Sequence, residues 1–119
     1  MLSHHEVLTA IRREKLIAIL RGVPMEKLDG VVEALAAGGV RILEFTFDHD
    51  SEDCIRENAE KIRHTVEKYG SSMLVGCGTA LTVAEVEAAC DAGACLVISP
   101  NVDYGVIRRT RQLGMVSLP

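Results

Sequence analysis

No stretch of this chain is apolar for long enough to cross a membrane. The longest apolar runs, Leu16 to Leu20 and Cys95 to Ile98, are far shorter than the ~20 residues that a membrane-spanning helix needs. Residues 1–13 are charged and contain histidine, so we also expect no secretory signal peptide. These absences predict a cytoplasmic protein without a membrane partner.

An excess of basic residues is missing as well. The formal net charge is −4, whereas nucleic-acid binding depends on clustered lysine and arginine contacts to phosphates. We therefore expect no nucleic-acid partner, and a small metabolite is the favoured ligand.

Metal-binding and redox motifs are absent from the cysteine and histidine spacing. The four cysteines form no CxxC pair, so we expect neither a zinc site nor a thiol–disulfide motif. We interpret them as small buried hydrophobic residues in a reducing compartment. The histidines lack metal-ligand spacing, apart from an adjacent N-terminal pair, and are interpreted as solvated. The residues concerned are Cys54, Cys77, Cys90, Cys95, His4, His5, His49 and His64.

The composition is that of one folded domain. Of the 119 residues, 48% are hydrophobic and 25% are charged, which supplies enough apolar side chains for a core. No linker or low-complexity tract divides the chain. We expect a single domain over residues 1–119, about half the ~250 residues of a complete eight-stranded βα barrel.

Short apolar runs typical of buried strands alternate with amphipathic stretches typical of helices. Residues 1–14 are predicted to hold an N-terminal helix, and residues 15–119 four βα units and the start of a fifth strand. The predicted strands are 16–20, 40–47, 73–75, 94–98 and 115–118, and the predicted helices are 25–37, 51–69, one beginning at the capping residue Thr82, and one capped by Asp103 and running through Leu113. This alternation predicts an α/β fold with a parallel sheet.

Polar residues follow or interrupt the strands near their carboxyl ends, where ligands bind in parallel α/β folds. Side-chain alternation places three residues of each of the first three strands on one face. If these faces all point into a barrel, Arg21, Glu44, Thr46 and Thr79 share one pocket at its mouth. The three sets are Ile17, Ile19 and Arg21; Ile42, Glu44 and Thr46; and Val75, Cys77 and Thr79.

Glu44 is the sharpest single signal. Its carboxylate lies between Leu43 and Phe45 in an internal strand, where burial is costly unless the group is paired or protonated. Burial would raise its pKa toward the range of a general acid or base. The alternative is that Glu44 forms a structural ion pair with Arg21. Arg21 itself could instead clamp a carboxylate or phosphate of a ligand, or it could be a surface arginine beside a turn.

The Gly76-Cys-Gly-Thr79 segment resembles a phosphate-binding turn, but Ala80 and Leu81 follow and the third glycine of a GxGxxG motif is missing. Dinucleotide binding is therefore disfavoured. A tight turn that brings backbone close to a ligand fits the segment better.

Several motifs together resemble one enzyme family in order and spacing. Over residues 16–119 the chain resembles the class I aldolases that act on 2-keto-3-deoxy-6-phosphogluconate and 2-keto-4-hydroxyglutarate, and it corresponds to their N-terminal part. The motifs are Ala18-Ile-Leu-Arg-Gly22, Ala36-Ala-Gly-Gly-Val40, Arg41-Ile-Leu-Glu-Phe-Thr46, Gly76-Cys-Gly-Thr-Ala-Leu81, Ala92-Gly-Ala94 and Ile98-Ser-Pro100.

The resemblance implies part of a (β/α)8 barrel of the TIM type, usually assembled as a homotrimer, in a lyase of Entner–Doudoroff-type carbohydrate metabolism. Such an enzyme releases pyruvate from a keto acid through a lysine Schiff base and needs no cofactor or metal. By resemblance, Glu44 shuttles protons and Thr79 holds the pyruvate carboxylate. Arg21, Thr46 and Pro100 are further substrate-binding candidates.

The chain departs from the family pattern in two places. Many members carry an arginine four residues after the glutamate, where this chain has Asp48. The Schiff-base lysine belongs on the sixth strand, which residues 1–119 do not reach. The lysines that are present precede a strand or lie in predicted helices, and none is expected at a carboxyl end of a strand: Lys15, Lys27, Lys61 and Lys68.

We therefore expect either a truncated aldolase that is inactive alone or a half-barrel that pairs with another copy, because unpaired sheet edges are unfavourable. A non-catalytic half-barrel that binds small acids or serves in assembly is the alternative function. A phosphorelay receiver also fits five βα units. It is disfavoured because Arg21-Gly22 replaces the acidic pair expected after the first strand.

Overall fold

The computed structural model describes residues 2–119 and contains five helices that alternate with five strands. All strands are parallel and lie in chain order across one sheet. The predicted α/β class and strand–helix alternation are confirmed. The helices are α1 (His4–Glu14), α2 (Met25–Ala37), α3 (Cys54–Tyr69), α4 (Val83–Asp91) and α5 (Tyr104–Gln112), and the strands are β1 (Ala18–Leu20), β2 (Ile42–Thr46), β3 (Leu74–Gly78), β4 (Leu96–Ile98) and β5 (Val116–Leu118).

Side-chain caps fix where two of the helices begin. Thr82 accepts a hydrogen bond from the Glu85 backbone N–H, and the Glu85 side chain accepts one from the Thr82 backbone, so the predicted capping box of α4 is present. A second capping box, between Ser3 and Glu6, starts α1. Helix α3 begins at Cys54 rather than at residue 51, because Ser51 closes a turn on Asp48 first.

The strand register defines which side chains share the inner face of the sheet. Ile19 pairs with Glu44, Glu44 with Gly76, Gly76 with Leu96, and Leu96 with Val116. Paired residues of parallel strands point to the same side, so these five form one row. The opposite face carries Leu43, Phe45, Val75, Cys77 and Val97, which pack in the core beneath the helices.

The predicted face of β3 is wrong. Val75 and Cys77 point toward the helices, and the inner face instead carries Leu74, Gly76 and Gly78. The strand also continues to Gly78 rather than ending at residue 75. The prediction failed because two of the three inner residues of β3 are glycines, so the inner face has no row of side chains that alternation in the sequence could identify.

Two apolar clusters hold the layers together. The larger one lies between the sheet and the outer helices and includes Leu28, Phe45, Ile62 and Val86. The smaller one lies on the inner face, where Val7 of α1 packs among Ile42, Leu96 and Val116. Helix α1 therefore covers one end of the inner face.

The inner face is open along the edge strand β1. Within residues 2–119, β1 pairs only with β2 and β5 only with β4, and Ile19 is 65% exposed. The expectation that residues 1–119 form a single domain stays a prediction. In the part of the chain described, no helix is both long and apolar enough to span a membrane.

Candidate active site

Glu44 lies on the inner face of β2 and is almost fully buried, with 2% of the residue exposed. Its Oε1 accepts a hydrogen bond of 3.1 Å from the Thr46 hydroxyl. Oε2 has no protein hydrogen-bond partner. Every fully buried polar side-chain atom of residues 2–119 does have a partner, so Oε2 is not fully buried. Oε2 therefore keeps some contact with solvent on the inner face and is free to meet a ligand.

Glycine on β3 makes the room for this carboxylate. A Cβ atom placed on Gly78 would overlap the Glu44 carboxylate, and one placed on Gly76 would overlap the side chain and backbone of Leu96. The inner side of β3 is thus a floor of bare backbone on which the Glu44 side chain lies. From the sequence, these glycines were interpreted only as parts of a turn. Their i, i+2 spacing nevertheless places both on one face of a strand.

Burial raises the pKa of the Glu44 carboxyl, while the hydrogen bond from Thr46 and the positive charge of Arg21 oppose the rise. The direction agrees with the prediction from its apolar neighbours. A carboxyl group with a raised pKa can donate a proton as well as accept one near neutral pH.

Arg21 follows β1 directly, and its side chain is exposed. It forms no hydrogen bond or salt bridge with any residue among 2–119. Its charge nevertheless reaches Glu44 and lowers the pKa of that carboxyl. The structure thus contains no ion pair joining the two strands, and the Arg21 guanidinium remains available for an anionic ligand.

Thr79 follows Gly78 and is half-buried, with a backbone φ of +54°. Positive φ is a strained conformation for a β-branched residue. This conformation ends the extended strand after Gly78, and the next residue, Ala80, donates its N–H to the Ile98 carbonyl at 3.2 Å. Pro100 is exposed in the bend after β4. Both residues therefore lie at the carboxyl-end rim, and their roles in binding stay predictions.

The structure also brings together three residues that sequence reasoning missed as a group. His49 Nε2 lies 2.8 Å from Glu85 Oε1, and the ligand atoms of His49, Cys54 and Glu85 all lie within 4.8 Å of one another. His49 is exposed, as predicted, and its ring is in addition hydrogen-bonded to the buried Glu85 carboxylate. The available signal was the capping box, which placed Glu85 in the first turn of α4, at the same end of the sheet as the loop that carries His49.

Comparisons with known proteins agree with this geometry. The family model of the KDPG and KHG aldolases matches residues 7–119. The chain belongs to this family. A probable 2-dehydro-3-deoxy-6-phosphogalactonate aldolase of Rhizobium meliloti strain 1021 is 41% identical over 104 residues, which are 87% of this chain and 46% of that protein. The 2-dehydro-3-deoxy-6-phosphogalactonate aldolase of Escherichia coli K12 is 32% identical, over 87% of this chain and 48% of its own length.

A solved structure described as native KDPGal superposes with a TM-score of 0.74 at 31% identity, covering 85% of this chain and 46% of the other. This likeness confirms that the five parallel strands and the helices between them follow the barrel architecture of the aldolases. The chain spans about half the length of the curated relatives that it matches.

The lysine nucleophile implied by the family resemblance has no candidate among residues 2–119, since none of the lysines there lies at the carboxyl end of a strand. Lys15 caps the carboxyl end of α1, on the side where the strands begin. Lys27 belongs to α2, and Lys61 and Lys68 belong to α3. Asp48, at the position where the family resemblance leads us to expect arginine, is exposed in the loop after β2.

Proposed function

We propose that this chain supplies the Glu44 half of a pyruvate-releasing aldolase that cleaves a 2-keto-3-deoxy sugar acid through a lysine Schiff base. The lysine lies beyond residue 119 of the complete protein in this proposal. The observation that carries it is the buried Glu44 carboxyl, which has one oxygen fixed by Thr46 and the other free on the inner face.

Glu44 moves protons in the proposed reaction. The lysine amine adds to the keto carbon, and Glu44 donates the proton with which the carbinolamine hydroxyl leaves as water. The resulting carboxylate then takes the proton of the substrate hydroxyl next to the breaking bond. The electron pair of that bond moves into the iminium, so an aldehyde leaves and an enamine remains. Protonation of the enamine carbon and hydrolysis return pyruvate and the free amine.

Arg21 and Thr79 bind the substrate in this proposal. Arg21 carries an exposed guanidinium within electrostatic reach of Glu44, and its planar fork suits a carboxylate. Thr79 directly follows Gly78, the residue over which the Glu44 carboxylate lies. Asp48 stands where other members place an arginine, so we propose that Arg21 carries more of the anion binding here.

The substrate that we propose to test first is 2-dehydro-3-deoxy-6-phosphogalactonate. Both curated relatives are named for 2-dehydro-3-deoxy-6-phosphogalactonate, whereas the family model is named for KDPG and KHG. The galactonate and gluconate acids differ in configuration at one carbon, the one whose hydroxyl loses its proton during cleavage. Pyruvate is released from both.

Borohydride trapping with labelled pyruvate tests the Schiff base in the complete protein encoded by the gene. We expect one covalent label per subunit in that protein and none in residues 1–119 alone. Glu44→Gln should lower kcat by about 10²–10⁴-fold, the usual contribution of a general acid–base group. Glu67→Gln, on the exposed side of α3, is the matched control and should leave kcat unchanged.

A non-catalytic binding or assembly role remains the second candidate, and the placement of the lysines favours it. It would prevail if the complete protein gave no label with pyruvate. Retention of full activity by Glu44→Gln would contradict the role proposed for Glu44, even if a lysine were labelled.

A further inference from the structure

His49, Cys54 and Glu85 come from three separate segments and meet at the carboxyl-end rim, on the helix side of the sheet. His49 lies in the loop after β2, Cys54 is the first residue of α3, and Glu85 lies in the first turn of α4. Their donor atoms lie within 4.8 Å of one another. An imidazole, a thiol and a carboxylate form a ligand set that zinc-class ions favour.

We propose that His49, Cys54 and Glu85 bind one zinc-class divalent cation, with water completing the coordination. Bond lengths of about 2.0–2.3 Å place the ligand atoms of a tetrahedral zinc site roughly 3.3–3.7 Å apart. The widest separation in the triad is at most 4.8 Å, so it exceeds this spacing by no more than about 1 Å, which side-chain rotation can close. The site is distinct from the Glu44 pocket, because Glu44 faces the inner side of the sheet.

The surroundings of Glu85 hold it ready to bind. The residue is 3% exposed, and its Oε2 accepts hydrogen bonds from the Leu81 backbone N–H at 2.7 Å and the Thr82 backbone N–H at 3.3 Å. These bonds orient the carboxylate and leave Oε1 facing the other two ligands. Metal ligands are commonly oriented by such outer hydrogen bonds.

The charge around the triad also favours a cation. The carboxylates of Glu85, Asp48 and Glu57 lie close enough to the Cys54 thiol to act on it electrostatically. A divalent cation would offset these charges. His49 provides the path for entry, since its side chain is 32% exposed.

Protons and charges balance when the cation binds. The Cys54 thiol loses one proton to solvent and becomes a thiolate. Before the ion binds, the Nε2–H of His49 faces the Glu85 carboxylate; on binding, this proton is exchanged through solvent for one on Nδ1, and Nε2 offers its lone pair. The thiolate and the Glu85 carboxylate then neutralise the two positive charges, so one proton is released for each ion bound.

Titration of tag-free residues 1–119 with Co²⁺, a coloured substitute for zinc, tests the site directly. We expect one equivalent to bind with a thiolate-to-cobalt charge-transfer band in the near ultraviolet, and Zn²⁺ should displace it. Cys54→Ser should remove the band, and His49→Gln should weaken binding by at least the roughly 100-fold lost with an outer ligand partner. Cys90→Ser is the matched cysteine control and should retain both band and affinity.

Two results would overturn this site. One is an unmodified chain that binds Co²⁺ without a thiolate band, since the adjacent His4 and His5 could bind an ion without Cys54. The other is a Cys54→Ser variant with unchanged affinity and spectrum. Glu85→Gln is avoided because Glu85 also caps α4. None of these readouts depends on aldolase activity, so the metal site and the proposed reaction fail or stand separately.

Discussion

The Glu44 carboxylate lies directly over Gly78, so that a Cβ atom on this glycine would overlap Oε1 and the carboxyl carbon. The contact joins neighbouring strands, β2 and β3, on the inner face. A single missing methyl group therefore decides whether the carboxylate can occupy its position.

Gly78→Ala should displace Glu44 and destabilise the fold by about 1–3 kcal/mol, the usual cost of overpacking a filled site. In the complete protein the same change should lower kcat, because the displaced carboxyl group no longer meets the substrate. Urea denaturation of the chain and steady-state kinetics of the complete protein measure the two effects.

Gly30→Ala is the matched control for this substitution. Gly30 lies within α2, and nothing approaches within 4 Å of a Cβ placed on it. The change should stabilise the helix by about 0.5–1 kcal/mol and leave kcat unchanged. If both alanine variants shifted the free energy of unfolding alike, the proposed contact between Glu44 and residue 78 would be wrong.

The strand–helix order and Glu44 could be predicted because their signals are local. A carboxylate between Leu43 and Phe45 breaks an apolar strand, and the Thr82–Glu85 capping box lies within four residues. Both features depend on neighbours in sequence, so alternation and cap patterns were sufficient to find them.

Local patterns mark Gly76, Gly78 and Glu85 in the sequence, but the contacts that form the glycine floor and the rim triad could not be predicted, because they join distant segments. Gly78 matters only through Glu44, and His49 and Glu85 are separated by 36 positions. Residue 79 was assigned to a face by alternation, but its φ of +54° breaks the strand geometry on which alternation depends. These features required the register of the sheet.

A charged network on the outer surface should hold Asp29 ionised in acid. Hydrogen bonds from Lys68 and then from His64 lower the pKa of Asp29 from 3.8 to about 2. A depressed pKa means that the folded state favours the ionised form. The resulting stability is therefore present above pH 3.8 and is lost as the pH falls toward about 2.

Lys68→Met should raise the pKa of Asp29 toward its ordinary value, because it removes the strongest of these hydrogen bonds. Carbon-detected NMR titration of the Asp29 carboxyl measures the change. Lys61→Met, on the same helix, should leave that pKa where it is. An Asp29 pKa near 3.8 in the unmodified chain would show that the exposed network is too mobile to perturb it.

The strained turn at Thr79 should trade stability for binding. Left-handed backbone costs an ordinary residue about 1–2 kcal/mol, and glycine costs roughly 0.5–1 kcal/mol in lost chain freedom. Thr79→Gly should therefore raise the free energy of unfolding by up to about 1.5 kcal/mol. In the complete protein it should also raise KM, since the hydroxyl proposed to hold the substrate carboxylate is gone.

Lys15→Gly is the control for the turn, because Lys15 has a φ of +61° at the end of α1 and lies away from the rim. It should stabilise the chain by a similar amount without changing KM. An unchanged KM in Thr79→Gly would exclude Thr79 from substrate binding and leave only its part in the turn.

The buried Glu44 should make the fold less stable as the pH rises. Burial raises the pKa of this carboxyl above 4.5 in the folded state, so folding favours the protonated form. Its stabilising effect is complete below pH 4.5 and is lost as the pH rises through the folded-state pKa. Glu44→Gln removes this titration, so its free energy of unfolding should fall less than that of the unmodified chain between acid and neutral pH.

Urea denaturation across this range measures the difference, and Glu67→Gln should behave like the unmodified chain. Parallel pH profiles for Glu44→Gln and the unmodified chain would mean that solvent reaches the carboxylate freely, and the site would then lack the environment that acid–base catalysis requires.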